Sequence, residues 1–496
     1  MKRFLCLLLS LLAFASPALA SDVGYEVFVA SFADGDGDGV GDLRGLTDSL
    51  DYIGSLGATV LWLMPIAPSP TYHKYDVADY CAVDPAYGTL EDFEAFAAAC
   101  HARGMRVLLD LVLNHSSSRH PWFVSACDTL ASCSDWEAAL AQNPYVDYYH
   151  FSRENIGYAV PNAEGWYYEA VFDSGMPDLN TDSPAVRAEF EAILRFWLSH
   201  GADGFRLDAT THYVEGSVNA NVAFLRWLRQ TATRIRPDVL LIGEAWTDAN
   251  TLTKMYAAEI ELFNFAFGTP DGWIVKAVQS GKGAAFAERL ASWNAALRSA
   301  SPSTVDVPFV GNHDTARVAG VFRRDQRKLK QIATLTLLSP GLPFIYYGDE
   351  LGMTGSGRDE NKRLPMLWGM NGGCCLPPAN ADQEQRCEAG VAEQENDPAS
   401  LLNFYRAVTA LRAQCPALAD GRVTWIDAGS EAVAAYQCDD AKQSAQVWHN
   451  LGAEAVTLPV PEGYALLGGL DAGDGAPTLA DGRLTLPPSA SCVLAR

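Results

Sequence analysis

Positive charge is scarce in this 496-residue chain, where 36 Lys and Arg stand against 60 Asp and Glu, a net charge of −24. That balance disfavours nucleic acid or anionic lipid as partner and suits a neutral substrate. After the first twenty residues no stretch approaches the ~20 apolar residues of a membrane span. No CxxC spacing argues for zinc. Long linkers, low-complexity tracts and short-period repeats are also missing.

The first twenty residues are expected to be a signal peptide. Lys2 and Arg3 form a charged start, "FLCLLLSLLAFA" an apolar core, and "ALA" at Ala18 to Ala20 a small-residue cleavage site. The expected product is a soluble monomer that is secreted, extracellular or periplasmic. Of 11 cysteines, Cys6 leaves with that segment and ten remain. An even number in an oxidising compartment predicts disulfides, with Cys127 paired to Cys133 for proximity and the rest undetermined.

Eight apolar, β-branched runs alternate with segments of helical spacing. They are "GYEVFVASF", "TVLWLMP", "RVLLDLVLNH", "DGFRLDA", "VLLIGEAW", "ELFNFAF", "VPFVGNHD" and "LPFIYYGDE". Buried strands alternating with helices predict an α/β fold, a (β/α)8 TIM barrel. The barrel is expected over residues 21–114 and 178–418. Residues 115–177 are too long for an ordinary loop after the third strand and predict a subdomain, domain B, over the barrel mouth. From 419 to 496 short alternating strands predict a C-terminal antiparallel β domain.

"DGDGDGVGDLRG", Asp34 to Gly45, has the look of a calcium loop. Asp34, Asp36, Asp38 and Asp42 supply carboxylates, Val40 a carbonyl, and Gly39 the sharp turn. Position 12 is Gly45 rather than Glu, and a strand rather than a helix precedes the loop. Those departures argue against an EF-hand sensor and for a structural Ca2+ clip.

Polar residues collect at the strand ends. Asp110, Asn114 and His115 follow the third strand, Arg206 and Asp208 the fourth, Glu244 the fifth, and Asn312, His313 and Asp314 the seventh. All are expected at the C-terminal rim, where barrel enzymes keep their chemistry. A single Asp after a strand is often only a helix cap. Three carboxylates with an Arg and two His at one rim instead suit cleavage of a glycosidic bond, with one carboxylate as nucleophile and one carboxylic acid as proton donor. Arg206 is expected to keep Asp208 ionised. Aromatics in "YHKYDVADY" and "GWYY" offer stacking faces for sugar rings.

These residues resemble the α-amylase superfamily of retaining glycoside hydrolases along nearly the whole chain after residue 20. "DLVLNH", "GFRLDA", "GEAW" and "FVGNHD" match its four principal motifs in order. The resemblance implies Asp208 as nucleophile, Glu244 as general acid/base and Asp314 as transition-state stabiliser. It implies His73, Tyr75, Asp76, His115, Arg206 and His313 as substrate contacts, and a first-strand loop that binds Ca2+. It also suggests a second ion through Asn114, Asp178 and the His212 carbonyl. "MPDLN" is similar to the group intermediate between oligo-1,6-glucosidases and neopullulanases, and "RLPMLW" leans to the oligo-1,6-glucosidase side. Thr211 stands where many α-amylases have Lys.

The implied activity is endo-cleavage of α-1,4-glucosidic bonds in starch and maltooligosaccharides. The alternatives are an exo-acting α-glucosidase or oligo-1,6-glucosidase, a glucanotransferase, and, from another class, a non-catalytic carbohydrate-binding or transporter-associated relative.

Overall fold

The computed structural model describes residues 22–370, 373–384, 387 and 389–496; the expected signal peptide lies outside them. Eight parallel strands form the core. They are β1 (Gly24–Val27), β2 (Val60–Leu63), β3 (Arg106–Leu111), β4 (Gly204–Leu207), β5 (Leu240–Gly243), β6 (Glu261–Phe263), β7 (Asp306–Val307) and β8 (Phe344–Tyr346). Their order is β7-β6-β5-β4-β3-β2-β1-β8. Two amides close the ring, Leu342 N–H donating to Asp306 O (2.8 Å) and Phe344 N–H to Pro308 O (2.9 Å). The expected TIM barrel is therefore present. Each strand is flanked on both faces, which is why these stretches read as continuous apolar runs rather than alternating ones.

Helices between the strands start and stop where the sequence marks them. Thr89 and Asp92 form a reciprocal capping box at the start of Leu90–Ala102, and Gly104 at φ +72° follows its end. The helix Pro184–Ser199 begins with proline at its first position, and Gly201 at φ +110° follows it.

Between β3 and the helix Pro184–Ser199 lies the inserted segment. It contains the helices Pro121–Ser132 and Trp136–Gln142 and a three-stranded sheet of Phe151–Ser152, Tyr158–Ala159 and Tyr167–Tyr168. It is tied back to the barrel by a bridge between His115 and Asp178. The chain ends in antiparallel β9 (Arg422–Trp425), β10 (Val433–Asp439), β11 (Ser444–Asn450), β12 (Val456–Pro459), β13 (Ala465–Leu470), β14 (Thr478–Ala480), β15 (Arg483–Leu486) and β16 (Ser491–Ala495). They make a five-stranded sheet, β9-β10-β11-β16-β13, and a three-stranded sheet, β12-β15-β14. Buried Arg412 knits the base of the barrel, donating to the carbonyls of Leu337 (2.8 Å), Ser339 (2.8 Å) and Gly341.

The expected Cys127–Cys133 bridge does not form, and both are free thiols, as are Cys81, Cys100, Cys415, Cys438 and Cys492. Cys127 sits in the helix Pro121–Ser132 and Cys133 just past its end. Six helical positions separate residues by about 9 Å along the axis and about 240° around it. A disulfide needs Cα atoms within about 7 Å. Proximity in sequence is misleading on a helix.

Candidate active site

The strand register builds the site. β3 and β4 place Asp110 directly opposite Arg206. Arg206 Nη1 donates to both Asp110 oxygens (2.8 and 2.9 Å) and to Asp208 Oδ1 (2.8 Å), while Nη2 pairs with Glu244 Oε2 (2.9 Å). The guanidinium is fully buried and lies 4.9 Å from the Trp62 ring centroid. One cation thus binds three carboxyl groups.

Each catalytic candidate is held through specific atoms. Among the described residues Asp208 Oδ2 and Glu244 Oε1 receive no hydrogen bond, so each group keeps one oxygen free. Ala209, the residue after Asp208, adopts φ +48°, a strained value for alanine that accompanies its N–H donating to Glu244 Oε2 (3.0 Å). Asp314 is clamped by His313 Nε2 on one oxygen (3.0 Å) and Arg363 Nη2 on the other (2.9 Å).

Burial pushes Asp208 up to about 6, against the pull of Arg206. Burial likewise raises Glu244, with Arg206 opposing and the Asp208 charge adding to the rise. Asp314 is held well below the usual range, because the His313 and Arg363 charges outweigh its burial. Burial also pushes Asp110 upward, opposed by the Arg206 and His313 charges and by the hydrogen bond from Tyr75 OH (2.9 Å); Trp62 Nε1 also donates to it (3.2 Å). Burial thus raises three of the carboxyl groups while paired cations hold the fourth down, a divergence of the kind that separate acid and charge-stabilising roles require.

The expected substrate contacts divide. Tyr75 joins the cluster, its hydroxyl 2.7 Å from His313 Nε2 and its ring stacked on that imidazole at 5.3 Å. His115 is buried, pushed down to about 4 by that burial, and its Nε2 has no partner among the described residues. An orphaned buried nitrogen is costly unless a ligand completes it. His73 lies nearby, with burial first and Arg363 second lowering its pKa. Asp76 is the exception. Its Oδ1 accepts from Ser69 Oγ (2.7 Å) and Thr71 Oγ1, so that oxygen braces its own loop.

The aromatics of the two expected stacking stretches divide as well. Tyr80, Trp166 and Tyr168 are buried in packing, while Tyr72 and Tyr167 of the same stretches stay partly exposed. Exposed rings include Trp246, stacked on Phe265 at 4.9 Å, and Phe172, set against His115 and His212. Sequence reasoning also missed Glu26, Trp62 and Arg363 as site residues. Only "RLPMLW" carried a signal, and for the last of them alone.

The acidic loop was tested for a cation by its donor set. Carboxylate oxygens of Asp34, Asp36 and Asp42 lie within 4.8 Å of one another, an oxygen-only set that fits a hard divalent ion such as Ca2+. Gly37 and Gly39, at φ +87° and +94°, supply left-handed turns that L side chains resist. None of the four aspartates has an ion-pair partner among the described residues. All four aspartates also accept from backbone amides of the loop, Asp38 from Val40 (2.7 Å), and Asp38 lies outside the close group of three. At the suggested second site Asn114 Nδ2 donates directly to Asp178 Oδ1 (3.2 Å).

A barrel mouth that keeps a buried guanidinium among three carboxyl groups, with a fourth carboxylate clamped beside it, defines a barrel glycoside hydrolase. Comparison with known proteins gives the family. Residues 26–421 match the α-amylase catalytic domain. The chain is 37% identical to α-amylase 3 of Dictyoglomus thermophilum over 455 residues, covering 88% of this chain and 85% of that one. Among solved structures, Eubacterium rectale Amy13B superposes with a TM-score of 0.92 at 37% identity, covering 96% of each chain. An α-amylase from H. orenii does so at 0.82 and 32% identity, covering 96% of this chain and 99% of its own. The chain belongs to the α-amylase family of glycoside hydrolases and is an α-glucan-active enzyme.

The acidic loop generates a prediction readable without activity. Exhaustive chelation is expected to lower the melting temperature by several degrees, and returning calcium to restore it. Asp36→Asn should abolish that response, whereas a melting curve indifferent to chelator would remove the ion from Asp34, Asp36 and Asp42.

Proposed function

We propose that the chain is a secreted α-amylase that cuts internal α-1,4-glucosidic bonds of starch and maltooligosaccharides by retaining double displacement. The observation that carries the mechanism is that Asp208 and Glu244 hang on one guanidinium, each with one oxygen free. Retention follows the α-amylase family, whose catalytic domain the chain matches; a retaining pair works at about 5–5.5 Å, whereas inversion needs carboxyls roughly 6.5–9.5 Å apart to admit a water.

Glu244 gives its proton to the glycosidic oxygen as the bond to the anomeric carbon breaks. Asp208 Oδ2 takes that carbon as an ester, and the shortened glucan leaves as an alcohol. A water then loses a proton to Glu244, adds to the anomeric carbon and releases Asp208 as carboxylate. Asp314, kept ionised by His313 and Arg363, faces the positive charge that develops on the sugar. The unpartnered His115 Nε2 supplies a hydrogen-bonding atom to a sugar hydroxyl. Asp34, Asp36 and Asp42 would hold calcium, which would cross-link the loop.

Internal cutting is supported by the relatives that carry the α-amylase name. The exo-acting reading rests on Arg363, from "RLPMLW", which reaches across Asp314 to the Tyr72 hydroxyl (3.0 Å) and narrows that side of the site.

Digestion of long amylose, with iodine stain and reducing ends followed together, separates these readings. Internal cutting predicts rapid loss of stain with few new ends and mixed maltooligosaccharides; early glucose with persistent stain would favour the exo-acting reading. In the same assay Asp208→Asn should lower kcat about 10³-fold or more with an unchanged melting curve. Near-normal turnover in that variant would refute the nucleophile.

A further inference from the structure

His313 is bonded at both ring nitrogens to groups that accept. Its Nδ1 lies 2.5 Å from Glu26 Oε1, and its Nε2 lies 3.0 Å from Asp314 Oδ2 and 2.7 Å from the Tyr75 hydroxyl. Tyr75 gives its own proton to Asp110, so toward His313 its oxygen accepts. A neutral imidazole has one donor and one acceptor nitrogen, and either tautomer would aim a lone pair at a carboxylate. Only the imidazolium satisfies both sides.

Glu26 comes from the middle of β1, where its neighbours in register are Trp62 on β2 and Tyr346 on β8. Its side chain is 2% exposed and its one ion-pair partner among the described residues is His313. A buried carboxylate in the wall of an apolar barrel is costly unless it is paired. We infer that Glu26 is a positioning residue for the proposed reaction: it fixes His313 as an imidazolium, and through it holds Asp314 ionised and oriented toward the sugar.

The two charged side chains bonded to the imidazole itself are both carboxylates. Asp314 and Glu26 contact it, Tyr75 stacks on it, the edge of Trp62 meets it, and Arg363 Nε reaches its backbone carbonyl. Burial opposes the charge, but the two carboxylates outweigh it and push His313 up to about 9. Loss of that proton would turn the Nε2 lone pair on Asp314. The imidazolium charge is therefore retained below about pH 9 and lost above it, and removing the Glu26 charge should bring that loss to lower pH.

The inference rests on the proposed glucan hydrolysis for its consequence but not for its test. Titration of histidine-labelled protein by NMR reads His313 directly, with His313→Gln assigning the signal. Glu26→Gln, which keeps an acceptor for Nδ1 and drops the charge, should lower the His313 pKa by about one unit or more. Its kcat should fall more than its KM rises. Glu26→Asp, which retains the charge, should shift both less, and it carries the test if the Gln variant does not fold. An unchanged His313 titration in a folded Glu26 variant, or an Asp variant as shifted as the Gln one, would overturn the inference. If the wild-type protein hydrolysed no α-glucan, the function would fail while the titration still judged Glu26.

Discussion

Everything at the barrel mouth is arranged around one buried guanidinium. Among the described residues Arg206 alone contacts Asp110, Asp208 and Glu244 together, and these come from the ends of three adjacent strands. Three carboxyl groups brought this close in a low-dielectric interior repel one another strongly. With Arg206 between them they become a fixed constellation. Without it the fold would hold uncompensated charge, a defect that typically costs about 3–5 kcal/mol.

The second cluster is joined to the first by hydrogen bonds. Glu26, His313 and Asp314 connect through the Tyr75 hydroxyl to Asp110, and Asp110 connects to Arg206. Strands β1, β3, β4, β5 and the segment after β7 thereby contribute to one network, which only a closed barrel brings together. Rigid strands hold the reacting groups, while the strained Ala209 supplies a backbone donor that no side chain provides.

Much of this was legible in the sequence because parallel barrel strands leave long apolar runs and the reactive residues sit just past them. "GFRLDA" and "GEAW" announce Asp208 and Glu244 in that way. Glu26 was hidden because it interrupts β1, where one charge within "GYEV" reads as noise, and because its partner is 287 positions away. Asp76 was assigned with its motif, yet the hydroxyls of Ser69 and Thr71 lie within reach and take its oxygen. Trp246 and Phe172 were passed over since exposure, unlike aromaticity, is not written in composition. Tyr80 and Trp166 failed for the same reason in reverse.

The central claim is that Arg206 keeps the nucleophile ionised. Burial places Asp208 at about 6 with the guanidinium beside it, so kcat/KM should fall as pH drops through that value. The most direct measurement is the acid limb of kcat/KM in Arg206→Gln, with Arg206→Lys as the charge-retaining control. The predicted result is an acid limb displaced upward by more than about one unit in the Gln variant and by less in the Lys variant. An acid limb in the Gln variant that coincides with that of the wild-type enzyme would contradict it.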